Sequence, residues 1–272
     1  MFLNFVNNDE KRVTSDFVKN GYIIEKIENI PSFNRFLDKI YKIFIKKLKL
    51  KNNKKIKNKS FFFNNLHKFI KLKNINTLRL SLISELNKDN FFKEEIFKIG
   101  RKYIELIVGN ELAIQKNLNL SIHSPNDKSS LLNIHSDTLS GESPFQVVFW
   151  IPLVDVFGTK SMFLLPLQES LRAIKNIKNK NLNNVFNSKK KKLKWLRINH
   201  GEFLIFSPNI LHGNVVNKTK ETRVSLNIRF KGLFTPYNKV NGNDRKLGFF
   251  YSPLNIKSAS KIGMRFKLPK KL

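Results

Sequence analysis

The chain offers five histidines for chemistry, His67, His123, His135, His200 and His212, and no cysteine. Thiolate ligands and disulfides are therefore excluded, and any metal must rest on imidazole and carboxylate. His135 and Asp137 stand two residues apart in a segment of β character, 131–137. On a strand such a pair leaves the same face, so an imidazole and a carboxylate are presented together. His212, just after the Ser207-Pro208-Asn209 turn, supplies a third ligand from another segment. Two imidazoles and one carboxylate hold one face of a metal and leave positions open for a cosubstrate and oxygen. An isolated His-x-Asp is common in proteins, so the triad needs support from elsewhere.

That support comes from 223–230. Arg223, Ser225, Asn227 and Arg229 alternate with Val224, Leu226, Ile228 and Phe230. A chain reversal near 217–220 sets Arg223 or Ser225 opposite His212, depending on where the turn centres. Taken alone, a polar face meeting water is the simpler reading. Coupled to the triad, the face suits a barrel interior that holds a dicarboxylate. Arg223 would clamp one carboxylate bidentately and the Ser225 hydroxyl would add a hydrogen bond. Asn214, two residues past His212 and on its face, is a further cosubstrate candidate. Gln146 and Trp150, alternating on the next strand, and Arg229 are the candidate substrate contacts. His123 and His200 are assigned structural or supporting places, and His67 carries no site argument. No Gly-x-Ser-x-Gly elbow and no glycine-rich phosphate loop is present.

These residues need a scaffold. Residues 16–25 suggest a helix end, a turn at Gly21 and a strand start. Phe33, Phe36, Leu37, Ile40 and Ile43 have helical spacing, and further helices are expected over 77–86 and 90–108, the last capped by Gly109. Residues 46–59 form a Lys/Asn-rich exposed loop. From 111 onward short β segments recur, at 112–123, 131–137, 145–156, 162–167, 195–206, 210–216 and 223–230. The expected fold is mainly β with α: a double-stranded β-helix (jelly roll, cupin-like) flanked by N-terminal helices. One domain is expected over 1–272, with a mainly helical part over 1–110, the β core over 111–235 and a basic tail over 236–272 that wraps the barrel.

The formal net charge is +31, which invites an acidic partner. Yet there are roughly four Lys for every Arg and about 35 Asn, residues that AT-rich codons favour. The scarce cation is Arg, the one suited to bidentate phosphate and base recognition. Nucleic acid is therefore not expected as a partner. The first nine residues lack signal-peptide character and no apolar run approaches a membrane span, so a cytoplasmic protein with a small-molecule substrate is expected. Oligomeric state is left open.

In order and spacing, His135-x-Asp137, His212 and Arg223-x-Ser225 resemble the metal and cosubstrate elements of 2-oxoglutarate/iron(II) dioxygenases. The eleven-residue step from His212 to Arg223 and the start DFVKNGY from Asp16 resemble the phytanoyl-CoA dioxygenase-like branch. GNELAIQ from Gly109, HSDTLSGESPF from His135, WIPL from Trp150, TKSM from Thr159, HGN from His212 and TRVSLNIRFK from Thr222 are similar to a bacterial subgroup found with carbohydrate-biosynthesis genes. Together these segments cover about half the chain.

The resemblance implies Fe(II) held by His135, Asp137 and His212, with 2-oxoglutarate and O2 as cosubstrates and Arg223 on the far carboxylate. It implies decarboxylation to succinate coupled to hydroxylation of a sugar or sugar nucleotide. Desaturation or epimerisation would use the same site. Retention of Asp137 argues against the halogenating variant. Two alternatives stand beside this one: the same chemistry on a lipid, acyl or amino-acid derivative, and a non-catalytic basic β-barrel that binds nucleic acid.

Overall fold

A computed structural model describes residues 7–50, 54–176, 182–237, 239–240 and 243–265. Expectations for the extreme N-terminus, the centre of the 46–59 stretch and the end of the basic tail lie outside the described residues. The chain is a mixture of helices and antiparallel sheet.

The helical part forms as its periodicity predicts. Helix α1 (Asn8–Asn20) ends at Gly21, whose φ of 77° turns the chain into β1 (Tyr22–Lys26). Helix α2 (Ile30–Lys47) buries Phe33, Phe36, Leu37, Ile40 and Phe44 on one stripe, with Ile43 at its margin. A short α3 (Lys59–Asn64) buries Phe62 and Phe63 and was not foreseen, six residues being too few for a periodic signal. Helices α4 (Ile75–Leu86) and α5 (Phe91–Val108) follow, and Gly109 closes α5. Among the described residues no helix is long and apolar enough to cross a membrane.

Strands β2 (Leu112–Gln115) and β3 (Asn119–His123) come next, followed by β4 (Gln146–Pro152) and β5 (Phe163–Leu164). Helices α6 (Leu167–Lys175) and α7 (Leu182–Lys189) precede β6 (Lys194–Trp195), β7 (Glu202–Phe206), β8 (His212–Gly213) and β9 (Arg223–Gly232). The chain closes with β10 (Lys239–Val240), β11 (Asn243–Asp244), β12 (Tyr251–Asn255) and α8 (Ser258–Gly263).

A seven-stranded sheet runs β1-β7-β4-β9-β2-β12, with β3 also beside β9, and a three-stranded sheet runs β6-β5-β8. Strand β9 is the axis of the large sheet. It pairs along β4 on one side, and on the other with β3 and then β2. Its even residues, Val224 to Phe230, are fully buried toward the helices. The Phe97 ring of α5 lies 6.1 Å from Phe230, and Gly100 lets α5 close on β4, since a Cβ there would stand 2.4 Å from the Phe149 ring.

Several sequence-based expectations need correction. Residues 131–137 are not a strand: only His135 makes a bridge, to His212. The 112–123 segment is two strands, and the 162–167 and 195–206 segments are each broken, the first by the start of α6. No hairpin joins His212 to Arg223. Strand β8 lies in the small sheet and β9 in the large one, where Arg223 stands opposite His123. The turn between them is built by Asn217, whose amide donates to the Glu221 and His123 carbonyls. The tail is not merely a wrap, because β12 extends the large sheet by pairing with β2. Apolar alternation marks β character, but it does not say where a ladder stops or which strand is its neighbour.

Candidate active site

The bridge between His135 and His212 sets two imidazoles side by side. Each backbone N–H donates to the other's carbonyl at 2.9 and 2.8 Å, and the ring centroids lie 4.3 Å apart. Gly213 permits this packing, since a Cβ there would stand 2.7 Å from the Leu132 carbonyl oxygen. Asp137 reaches the same spot by a different route from the one expected. Its backbone is helical (φ −60°, ψ −34°), at the head of a 3-10 turn over residues 138–140. The Ser136 hydroxyl ties that turn to the 207–209 loop by donating to the Pro208 carbonyl at 2.8 Å. A turn, not strand alternation, therefore brings the carboxylate to the imidazoles.

The donor atoms of His135, Asp137 and His212 all lie within 4.8 Å of one another. Nε2 of His135 is 3.8 Å from Asp137 Oδ1, and Nε2 of His212 is 3.9 Å from the same oxygen. Each Nδ1 faces a backbone carbonyl two residues back, Asn133 at 2.8 Å and Ile210 at 2.9 Å. That arrangement assigns the proton to Nδ1 and leaves both Nε2 lone pairs aimed at the common centre. Burial pushes the His212 imidazole down to about 4, keeping it neutral as a ligand must be. First-row divalent ions bind such donors at about 2.0–2.2 Å, which places neighbouring donors roughly 3 Å apart. Each histidine is within about an ångström of that separation from Asp137 Oδ1, so the residues fit a 2-His-1-carboxylate centre.

Asp137 is held from behind. Arg229 Nη2 donates to its Oδ2 at 2.8 Å, leaving Oδ1 to the histidines. Burial alone would raise the Asp137 pKa, but Arg229 and the imidazoles outweigh it and hold the carboxyl below its usual range. Arg229 also donates to Gln115 Oε1 at 3.1 Å and lies 3.8 Å from Glu142 Oε1. Glu142 in turn accepts from Gln146 and Tyr251 and pairs with Arg245 at 3.2 Å.

This polar network changes the place of two expected substrate contacts. Arg229 borders the cavity with its guanidinium already committed to Asp137 and Gln115. Gln146 is turned into the network by Glu142 and Tyr251. Trp150 is buried opposite Asn227 and does not border the cavity. Asn214 pins a neighbouring loop: its Oδ1 accepts from Leu132 N at 2.6 Å and its Nδ2 donates to the Ser130 carbonyl at 3.2 Å.

Arg223 is 4% exposed and has no carboxylate partner among the described residues. Among the described residues its only hydrogen bonds are long, 3.4 Å to the Lys160 carbonyl and 3.5 Å to Ser121 Oγ, and neither its Nε nor the buried Ser225 hydroxyl has a partner. Desolvation lowers Arg223 to about 10, which still leaves it charged at neutral pH. His123, opposite Arg223, is fully buried, and burial followed by Arg223 pushes its imidazole down to about 3. His67 bonds Thr222, while His200 packs against Phe33.

A cavity of about 340 Å³ opens onto the triad. Its walls mix apolar residues such as Val148 and Phe206 with Asn119, Ser121 and Asn227, and α4 contributes Asn76 and Arg79. Sequence reasoning missed the α4 residues and the Arg229–Asp137 pair, because both meet the site only through long-range packing.

No family model matches the sequence. The chain is 25% identical over 155 residues to the streptomycin biosynthesis protein StrG of Streptomyces griseus. That match spans 56% of this chain and 62% of StrG, less than two thirds of its length. Among solved structures, the fold is similar to the non-haem, α-ketoglutarate-dependent carbocyclase SnoK from nogalamycin biosynthesis. There the TM-score is 0.55 at 12% identity, covering 93% of this chain and 97% of that one. The iron-bound EctD from S. alaskensis gives 0.54 at 13% identity, covering 94% and 90%. The apo non-haem monooxygenase ThoJ gives 0.55 at 12% identity, covering 90% and 89%.

Proposed function

We propose that the chain, whose fold is similar across most of its length to these solved structures, is an Fe(II)- and 2-oxoglutarate-dependent oxygenase built on a double-stranded β-helix, and that it hydroxylates a small polar substrate of carbohydrate type. The observation that carries this reading is the pairing of two features: a triad with both Nε2 atoms free, and a buried Arg223 without an anion. One is a site for a divalent metal and the other a site for a carboxylate.

In this mechanism His135, Asp137 and His212 would hold the metal, which when bound would supply the redox chemistry that couples decarboxylation of 2-oxoglutarate to oxidation of the substrate by O2. Arg229 takes one oxygen of Asp137 and so presents the other alone. Arg223 and Ser225 receive the far carboxylate through a charge-assisted fork and a hydroxyl. Val148 and Phe206 give the cavity a dry wall beside the triad, and Asn119 and Asn227 offer amides to a hydroxylated substrate.

The carbohydrate assignment draws on the amide and hydroxyl lining, the similarity to a streptomycin biosynthesis protein, and the sequence resemblance to the carbohydrate-cluster subgroup. A lipid or acyl substrate would call for an uninterrupted apolar lining, and Ser121, Asn119 and Asn227 interrupt this one. The test is direct. Anaerobic addition of Fe(II) and 2-oxoglutarate to the purified chain gives a weak visible charge-transfer band, and admission of O2 gives succinate. A folded, metal-loaded chain that shows neither would sink the reading.

A further inference from the structure

The arginines of this chain sort by their partners. Arg12, Arg35, Arg101, Arg172, Arg229 and Arg245 each contact a carboxylate. Arg197 and Arg265 are exposed to solvent. Among the described residues, this leaves two sheltered arginines without an acid, Arg223 and Arg79. Arg223 has been assigned to the cosubstrate. Arg79 lies half-buried on α4, 56 residues away from His135 in sequence, and borders the same cavity as the triad.

Arg79 donates through Nε and Nη2, at 3.2 and 2.9 Å, to one neutral acceptor, the Asn76 Oδ1. Among the described residues its Nη1 has no hydrogen-bond partner, which leaves it for a ligand. Asn76 has its oxygen occupied and therefore offers the NH2 of its amide, so the pair presents donors only. The remaining charges along the cavity do not balance it. Among the described residues Asp137 is the single carboxylate that borders the cavity, and it is matched by Arg229. A divalent metal and a dianionic cosubstrate would cancel each other, and Arg223 does not border this cavity. The Arg79 charge would then face a small, partly dry space unmatched, where an uncompensated charge is costly.

We propose that the cavity takes a substrate carrying an oxyanion, phosphate or carboxylate, which docks on Arg79 and Asn76 while the carbon to be oxidised faces the triad. The orientation rests on the oxygenase reading above; the anion subsite does not. A volume of about 340 Å³ is at the small end of ligand sites and suits one sugar-sized unit with its charged group at the α4 side. Arg79 is thus the residue that would separate a phosphorylated or acidic sugar from its neutral counterpart.

The test uses the full chain without metal, in about 0.15 M chloride, where generic attraction is screened beyond about 8 Å. Inorganic phosphate and acetate are titrated separately, and the arginine Nε–H resonances are followed by NMR. The Arg79 signal is identified by its loss in Arg79→Lys, and the rest of the spectrum reports that the variant is folded. The expected result is that one anion moves Arg79 with half-saturation at least tenfold below that of the exposed Arg101 and Arg172. Whichever anion does so first assigns the oxyanion. Parallel movement of all three arginines would reflect only the +31 charge and would overturn the proposal. Selective binding at Arg79 in a chain that gives no charge-transfer band would remove the oxygenase reading and keep the subsite. A band with no selectivity at Arg79 would do the reverse.

Discussion

The two ends of the polar face of β9 carry the same residue type in opposite states. At one end Arg229 is locked to Asp137 at 2.8 Å and Gln115 at 3.1 Å, with Glu142 alongside. At the other end Arg223 is more deeply buried and has, among the described residues, only two long contacts to neutral oxygens, while two residues on the Ser225 hydroxyl has no partner. Buried guanidinium is tolerated when paired and costs several kcal/mol when it is not. The Arg229 end is therefore finished by folding, and it holds Asp137, the proposed metal ligand, in place without a metal. The Arg223 end stores an unmade interaction, which a carboxylate would complete. A binding site and a structural network can share one strand, and partner satisfaction tells them apart.

The contrast can be broken in several ways, beginning with the largest effect. Asp137→Ala should reduce succinate formation to background and abolish the charge-transfer band, because only two neutral ligands remain; retained turnover would remove the triad from the chemistry. Arg229→Met should destabilise the metal-free chain by about 3–5 kcal/mol in urea melts, since it leaves the Asp137 carboxylate buried without its guanidinium partner. The same variant should weaken metal binding roughly ten- to a hundredfold by calorimetry, with Arg229→Lys restoring part of the loss.

Arg223→Met should behave in the opposite sense. Stability of the metal-free chain should be unchanged or slightly higher, because an unpaired charge is replaced by an apolar side chain of similar length. Affinity for 2-oxoglutarate should fall by about 1.5–3 kcal/mol, roughly tenfold to over a hundredfold. Equal destabilisation by the Arg223 and Arg229 substitutions would erase the distinction between the two ends.

The smallest effect concerns pH. His123 is held neutral with its folded pKa depressed to about 3 against 6.5 in the open chain. Between those values the unfolded state binds more protons, so stability contributed by neutral His123 is present above 6.5 and lost as pH falls toward 3. The slope should approach about 1.4 kcal/mol per pH unit for this one group. Urea melts at pH 7 and 5 should show the difference shrink in His123→Leu.

Legibility followed the range of the interactions. Helices α2, α4 and α5 were visible because a buried stripe repeats every turn, as Phe33, Phe36, Leu37 and Ile40 do. The two faces of β9 were visible from alternation alone; the apolar even face is fully buried, and Arg223 and Ser225 on the polar face are buried as well. Strand limits in 112–123 and 195–206 were not, since apolar runs continue through turns. The route by which Asp137 reaches the histidines was also misjudged, because a helical turn can bring i and i+2 to one centre as effectively as a strand when a remote carbonyl, here Pro208, anchors it.

By itself, the sequence determined which groups were available: two histidines and an aspartate at suggestive spacing, an arginine with a serine two residues on, and no thiol. It also determined the helical layer and the sidedness of β9, because those depend on neighbours a few residues apart. Only the tertiary structure decided which arginine would be consumed and which left free. Asp137 and Arg229 are 92 residues apart, and Arg79 stands on a helix outside the β core. Partner choice between buried charges depends on distances set by packing, so the division between a structural arginine and a binding arginine appears only when the chain has folded.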